Sequence, residues 1–91
     1  MPLESDCIAL SNQALEAVRS RIPDDLFRGV HDYINRFNEW GVGMKMLIDQ
    51  ISEYEIKITV EQFDLIHAAM ISMHLGDSDR LRYLRAHDVI A

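Results

Sequence analysis

The sequence predicts an all-α fold, a small bundle of four to five short helices forming one domain over residues 1–91. Three observations predict it. Apolar residues recur three and four positions apart almost throughout, the period of a helix with one buried face, and seldom alternate as a strand requires. The chain holds only two prolines, Pro2 and Pro23, and no Gly/Ser linker, low-complexity run or internal repeat divides it. A length of 91 residues supplies one hydrophobic core and no second.

In chain order, Ile8, Leu15, Val18 and Ile22, with Ala14 and Ala17 beside them, mark a first helix over residues 5–20, with Ser5 as candidate N-cap. Arg21-Ile22-Pro23 ends it, because the residue before a proline is pushed out of the α region. Pro23 suits the first turn of a second helix, and Asp24 and Asp25 complement the positive end of its dipole. That helix presents Leu26, Val30, Tyr33, Ile34 and Phe37 and stops near Asn38; Gly29 inside it costs about 1 kcal/mol relative to alanine. Asn38 is the candidate cap of a third helix over residues 39–53, where Trp40, Met44, Leu47, Ile48, Ile51 and Tyr54 share one face. Glu55-Ile56-Lys57-Ile58 alternates, but it is short and has nothing to pair with, so it reads as an extended connector. Thr59-Val60-Glu61-Gln62 fits a capping box, with Ile58 and Phe63 as its hydrophobic staple. The fourth helix runs through Ile66, Met70 and Met73 to Gly76, placed for a left-handed C-cap. Asp77-Ser78-Asp79 opens a short last helix whose apolar positions are Leu81 and Leu84.

Charge and composition exclude several classes. With 15 Asp and Glu against 9 Lys and Arg, the formal net charge is −6. Such a chain lacks the basic footprint of a nucleic-acid binder and suits a basic partner. The one cysteine, Cys7, allows no internal disulfide. The N-terminus has neither the basic nor the apolar region of a signal peptide, and no apolar run approaches the roughly 20 residues that span a bilayer. The expected setting is the cytoplasm, with no membrane partner.

No residue pattern points to catalysis, a metal or a cofactor. Cys7 has no neighbouring His or base to activate it and reads as a half-buried or exposed thiol. His67 and His74 lie seven apart on the fourth helix, near one face, with no Cys or third His spaced to complete a zinc site. His31 and His87 are isolated. Gly41-Val42-Gly43 is not a phosphate loop. Met44, Met46, Met70 and Met73 fall at core spacing rather than outlining an adaptable groove. Arg80, Arg82 and Arg85 on the last helix are balanced by Asp77, Asp79 and Asp88, which leaves no recognition helix for DNA. The chain is therefore expected to bind rather than to catalyse.

Carboxylates remain. Between residues 46 and 64, Asp49, Glu53, Glu55, Glu61 and Asp64 stand against a single base, Lys57. Asp49 and Glu53 share a helix face at i and i+4, Glu55 follows that helix's end, and Glu61 and Asp64 open the next helix. Each alone reads as a solvated or dipole-complementing side chain. Together they repel, and fold stability gives no reason to concentrate them; a basic partner does, through steering and complementarity. They form the candidate partner-binding set, with Asp32 and Glu39 as a second choice.

Asn38-Glu39-Trp40-Gly41, then Met44, Leu47 and Ile51, then Glu53-Tyr54-Glu55-Ile56, then Ile58-Thr59-Val60-Glu61-Gln62-Phe63 and Ile66, together resemble the MafI family of immunity proteins. The family pattern is an E-W-G motif opening a helix, a Leu-rich stretch, and an E-Y-x-I-x-[ST] connector leading into a helix with E-E-Y/F. The likeness covers residues 24–76 and is slight over 1–22 and 77–91. Gly43 departs from the pattern, where alanine is expected, and should loosen the third helix slightly. Trp40 and Tyr54 match family positions and fall on the apolar stripe, so both are expected in the core.

The resemblance implies an antitoxin of secreted polymorphic bacterial toxins, those of contact-dependent growth inhibition and Maf systems, whose toxins include EndoU-type RNases. It implies a stoichiometric mechanism: the protein binds the C-terminal domain of its cognate toxin one-to-one in the cytoplasm and covers the active site. A nuclease site is basic because it holds phosphates, so carboxylates on the inhibitor answer it. The alternative reading is a helical regulatory or adaptor domain that homodimerises through an apolar face such as Leu65 and Ala69.

Overall fold

The computed structural model describes residues 4–90; Met1–Leu3 and Ala91, counted above in the single domain, lie outside the described residues. The chain runs α1 (Glu4–Ala17), a 3-10 turn (Arg19–Arg21), α2 (Asp24–Asn35), α3 (Trp40–Glu53), β1 (Ile58–Thr59), α4 (Val60–Ser72), α5 (Asp79–His87) and β2 (Val89–Ile90). This is the all-α bundle expected, with one short parallel pairing of β1 and β2 added. α1 packs on α4, α2 on α3, and α5 against α3.

Helical period decides which residues meet. α3 turns Gly43, Met44, Leu47, Ile48 and Ile51 inward, α4 turns Phe63, Ile66, Ala69 and Met70, and α5 adds Leu81 and Leu84. With Leu15, Val18, Val30, Ile34 and Ile58 they form one core. Each large aliphatic side chain gains about 1.5–3 kcal/mol by leaving water. Met44 and Met70 fill that core, as their spacing suggests, and Met46 and Met73 pack on its edge. Small residues bring α1 and α4 close. Cys7, Ser11 and Ala14 on α1 and Ala69 and Ser72 on α4 are all buried. The Cys7 thiol, which is neither exposed nor half-buried, donates to the Ser72 carbonyl at 3.4 Å.

Gly43 is the close point between α2 and α3. A Cβ there would stand 3.0 Å from the Tyr33 Cβ and 3.2 Å from the Val30 carbonyl oxygen. Alanine fits only if α2 backs away, so this glycine joins two helices rather than loosening one.

Local signals hold at two helix starts. Thr59 Oγ1 accepts from Gln62 N–H at 3.1 Å, Gln62 Oε1 accepts from Thr59 N–H at 2.8 Å, and the staple residues Ile58 and Phe63 are buried. Ser78 caps α5, its Oγ accepting from Leu81 N–H at 3.2 Å.

Other boundaries depart from expectation. α1 already includes Glu4, so Ser5 lies inside it, and α1 ends at Ala17 before the chain tightens into the 3-10 turn. α2 ends at Asn35, which leaves Phe37 54% exposed. Asn38 caps nothing; it turns the chain at φ 54°, and Glu39 precedes α3 without a side-chain cap. After α4 the left-handed residue is His74, at φ 61°, not Gly76. His74 N–H donates to the Ile71 carbonyl and Leu75 N–H to that of Met70, a Schellman turn with histidine where glycine is usual. His74 is therefore past the helix and does not share a face with His67. Gly76 serves close approach instead: a Cβ there would meet Ile71 Cγ1 at 2.5 Å. The connector also finds a partner. Ile58 pairs with Val89 and Thr59 with Ile90, and Ile58 N–H donates to the Asp88 carbonyl at 3.0 Å. Nothing near residue 58 announces this, because the partner strand lies beyond α4 and α5.

Candidate partner-binding site

α3 ends as α4 does. Glu55 N–H donates to the Ser52 carbonyl at 3.2 Å and Ile56 N–H to that of Ile51 at 3.0 Å, with Glu55 at φ 51°. This is again a Schellman turn, with glutamate in the position that favours glycine. The reversal brings Ile56 back onto the core and leaves Tyr54 outside, 68% exposed. Tyr54 is thus a surface residue, contrary to its place on the apolar stripe, because Ile56 supplies the closing contact. Trp40 does pack on the core.

Glu53, Tyr54 and Glu55 are therefore three consecutive exposed side chains at the C-terminal end of α3, whose last turn holds no base. That end of a helix carries partial negative charge, so a carboxylate there is unfavourable by about 0.3–1 kcal/mol. A left-handed residue with a Cβ adds about 1–2 kcal/mol.

One turn earlier, on the face of Glu53, Asp49 Oδ1 pairs with Arg80 Nε of α5 at 2.9 Å, both side chains about half exposed. Between α3 and α5 runs a groove of about 580 Å³, lined by Asp49, Ser52, Glu53, Asp79, Arg80 and Tyr83. Tyr83 is 54% exposed and packs against the His87 ring, centroids 4.1 Å apart. Arg82 pairs with both Asp77 and Asp79; the Asp79 hydrogen bond first, then the Asp77 charge, raises its pKa above the usual value. All of this is solvent-exposed and adds little to stability.

Of the three arginines of α5, only Arg82 is balanced by the acids at that helix's start. Arg80 reaches α3, and Arg85 lies over the Phe63 ring, 5.4 Å from its centroid. Asp88 is buried, its Oδ2 without a hydrogen-bond partner. Ser11 Oγ on α1 is buried and unpartnered too.

Glu61 and Asp64 are exposed on α4, Glu61 in its first turn. α4 packs chiefly on α1, and neither residue lines the α3–α5 groove. The fold thus gathers Asp49 and Glu53, places Glu55 in the turn beyond them, and puts Glu61 and Asp64 on a different helix. Asp32 is half-buried on α2, and Glu39 is exposed ahead of α3. Asp79 and Tyr83 join the groove without having been singled out from the sequence. The recurrence of Arg80, Tyr83 and His87 at three and four positions marks a polar face of α5, but no spacing says that it lies beside α3.

A second groove, about 680 Å³, lies between the 3-10 turn, α2 and α3; Ile22, Leu26, Met46, Tyr54 and Ile56 line it, with Arg21 and Asp25. Among the described residues, no three His, Cys, Asp or Glu side chains gather as a metal site, and no helix is long and apolar enough to cross a membrane. Ala69, named above with Leu65 as a homodimer face, is fully buried in the core, and Leu65 is half-buried against it. Of that pair only Leu65 keeps exposed surface.

Compared with family models, characterised proteins and solved structures, the chain gives no match.

Proposed function

We propose that this chain is an immunity protein: it binds the C-terminal domain of a secreted bacterial toxin, an EndoU-like RNase, one-to-one in the cytoplasm and occludes its active site. The observation that carries this reading is the Glu53-Tyr54-Glu55 end of α3. Two carboxylates stand at the negative end of a helix, one of them left-handed, beside an exposed aromatic ring. Stability alone favours glycine at 55 and a base near 53. A surface for a cationic partner retains carboxylates and an exposed tyrosine. The same three residues open Glu53-Tyr54-Glu55-Ile56, which resembles the E-Y-x-I start of the MafI connector, with Ile58 where that pattern has Ser or Thr and Thr59 one residue later.

Co-expression with the toxin domain encoded immediately upstream tests the proposal. The expected result is a one-to-one complex that co-purifies and lacks RNase activity. Two separate proteins at micromolar concentration overturn it.

A further inference from the structure

The groove between α3 and α5 already holds a guanidinium of its own. Arg80 pairs with Asp49 within it. Beside the pair stand Glu53, which has no ion-pair partner among the described residues, and the exposed ring of Tyr83. In and next to the groove, four carboxylates (Asp49, Glu53, Asp77 and Asp79) meet three cations: Arg80, Arg82 and Lys45, which lies beside Asp49 and Arg80 in the adjoining hollow. The local field therefore stays negative with all three in place, and it draws in further cations. An exposed pair such as Arg80–Asp49 is weak, so one guanidinium exchanges for another at small cost. Arginine also stacks on tyrosine, which a bare ammonium does less well.

We propose that this groove docks an arginine-bearing segment of the basic partner, whose guanidinium displaces Arg80 from Asp49 and lies against Tyr83. Arg80 is then an internal competitor that lowers affinity. The inference rests on the function proposed above and assigns it to the α3–α5 face. The larger groove is less suited, since Asp25 and Arg21 offset each other among apolar residues there. On α4, Glu61 is accounted for by the helix dipole it faces.

The probe is acetyl-diarginine amide, titrated at millimolar concentration while the backbone amide signals are followed by NMR. Shifts should concentrate at Glu53, Arg80 and Tyr83. Arg80→Ala should lower the probe's Kd about two- to fivefold, the strength of an exposed ion pair. Arg28→Ala makes the same change in net charge on α2, and at physiological salt it should leave Kd nearly unchanged. Shifts as large at Glu61 and Asp64, or an Arg80→Ala gain no greater than that of Arg28→Ala, overturn the groove. With the upstream toxin domain, Arg80→Ala should bind more tightly and Tyr83→Ala more weakly, both variants keeping the helical circular dichroism of the parent. A toxin complex indifferent to both changes overturns the groove and leaves the proposed function standing. Absence of any complex overturns the function itself.

Discussion

α3 ends with acids and α4 begins with one, and the two helix ends obey opposite electrostatics. Glu61 lies in the first turn of α4, at the positive end of its dipole, where a capping box also holds the backbone. Glu53 and Glu55 stand at the negative end of α3, with no base in the last turn and Glu55 left-handed. The side-chain chemistry is the same, so the contrast isolates position. Glu61 is explained by the helix that carries it. Charge on α3 is a local cost that packing does not explain, and it borders the α3–α5 groove. Sites where local rules are broken without compensation are where function is to be sought.

The largest effect that would break this contrast is on association. Asp49→Lys with Glu53→Lys should weaken toxin binding by about tenfold or more at low salt, and less at high salt. Glu61→Lys with Asp64→Lys should weaken it by less than about threefold, since that face lies outside the groove. Titration calorimetry at two salt concentrations measures both, and equal losses would erase the distinction. Next comes stability at the capped end. Thr59→Ala should lower the unfolding free energy by about 1–2 kcal/mol, read from urea midpoints, because Gln62 N–H loses its acceptor.

The left-handed positions sharpen the contrast further. Glu55→Gly and His74→Gly should each raise stability by about 1 kcal/mol. Only the Glu55 change should cost toxin affinity, and an equal loss from His74→Gly would remove the significance given to Glu55. The smallest effect is one of sign. Glu61→Gln should destabilise and Glu53→Gln stabilise, each by about 0.3–1 kcal/mol, so their thermal midpoints should move in opposite directions.

Much of the fold was legible because its signals are short in range. The α3 stripe through Met44, Leu47, Ile48 and Ile51, the Thr59–Gln62 box and the Asp77-Ser78-Asp79 start of α5 each depend on residues within about one or two helical turns. Legibility failed where a helix stopped. Asn38, Glu55 and His74 all took left-handed turns that composition reserves for glycine, while Gly43 and Gly76 served close approach. The stripe assigned Tyr54 to the core, and one turn of chain reversal put Ile56 there instead.

The candidate site divides in the same way. The positions of Asp49 and Glu53 on one helical face follow from a spacing of four residues. Their neighbours Asp79, Arg80 and Tyr83 follow from where α5 docks. By itself the sequence determined the helices, the capping box that starts α4 and the excess of carboxylates, since these depend on neighbours along the chain. Only the tertiary structure decided which carboxylates share a surface, that one is already paired with Arg80, and that β1 meets β2. Such pairings join residues far apart in sequence, and nothing but the packing of the core brings them within reach.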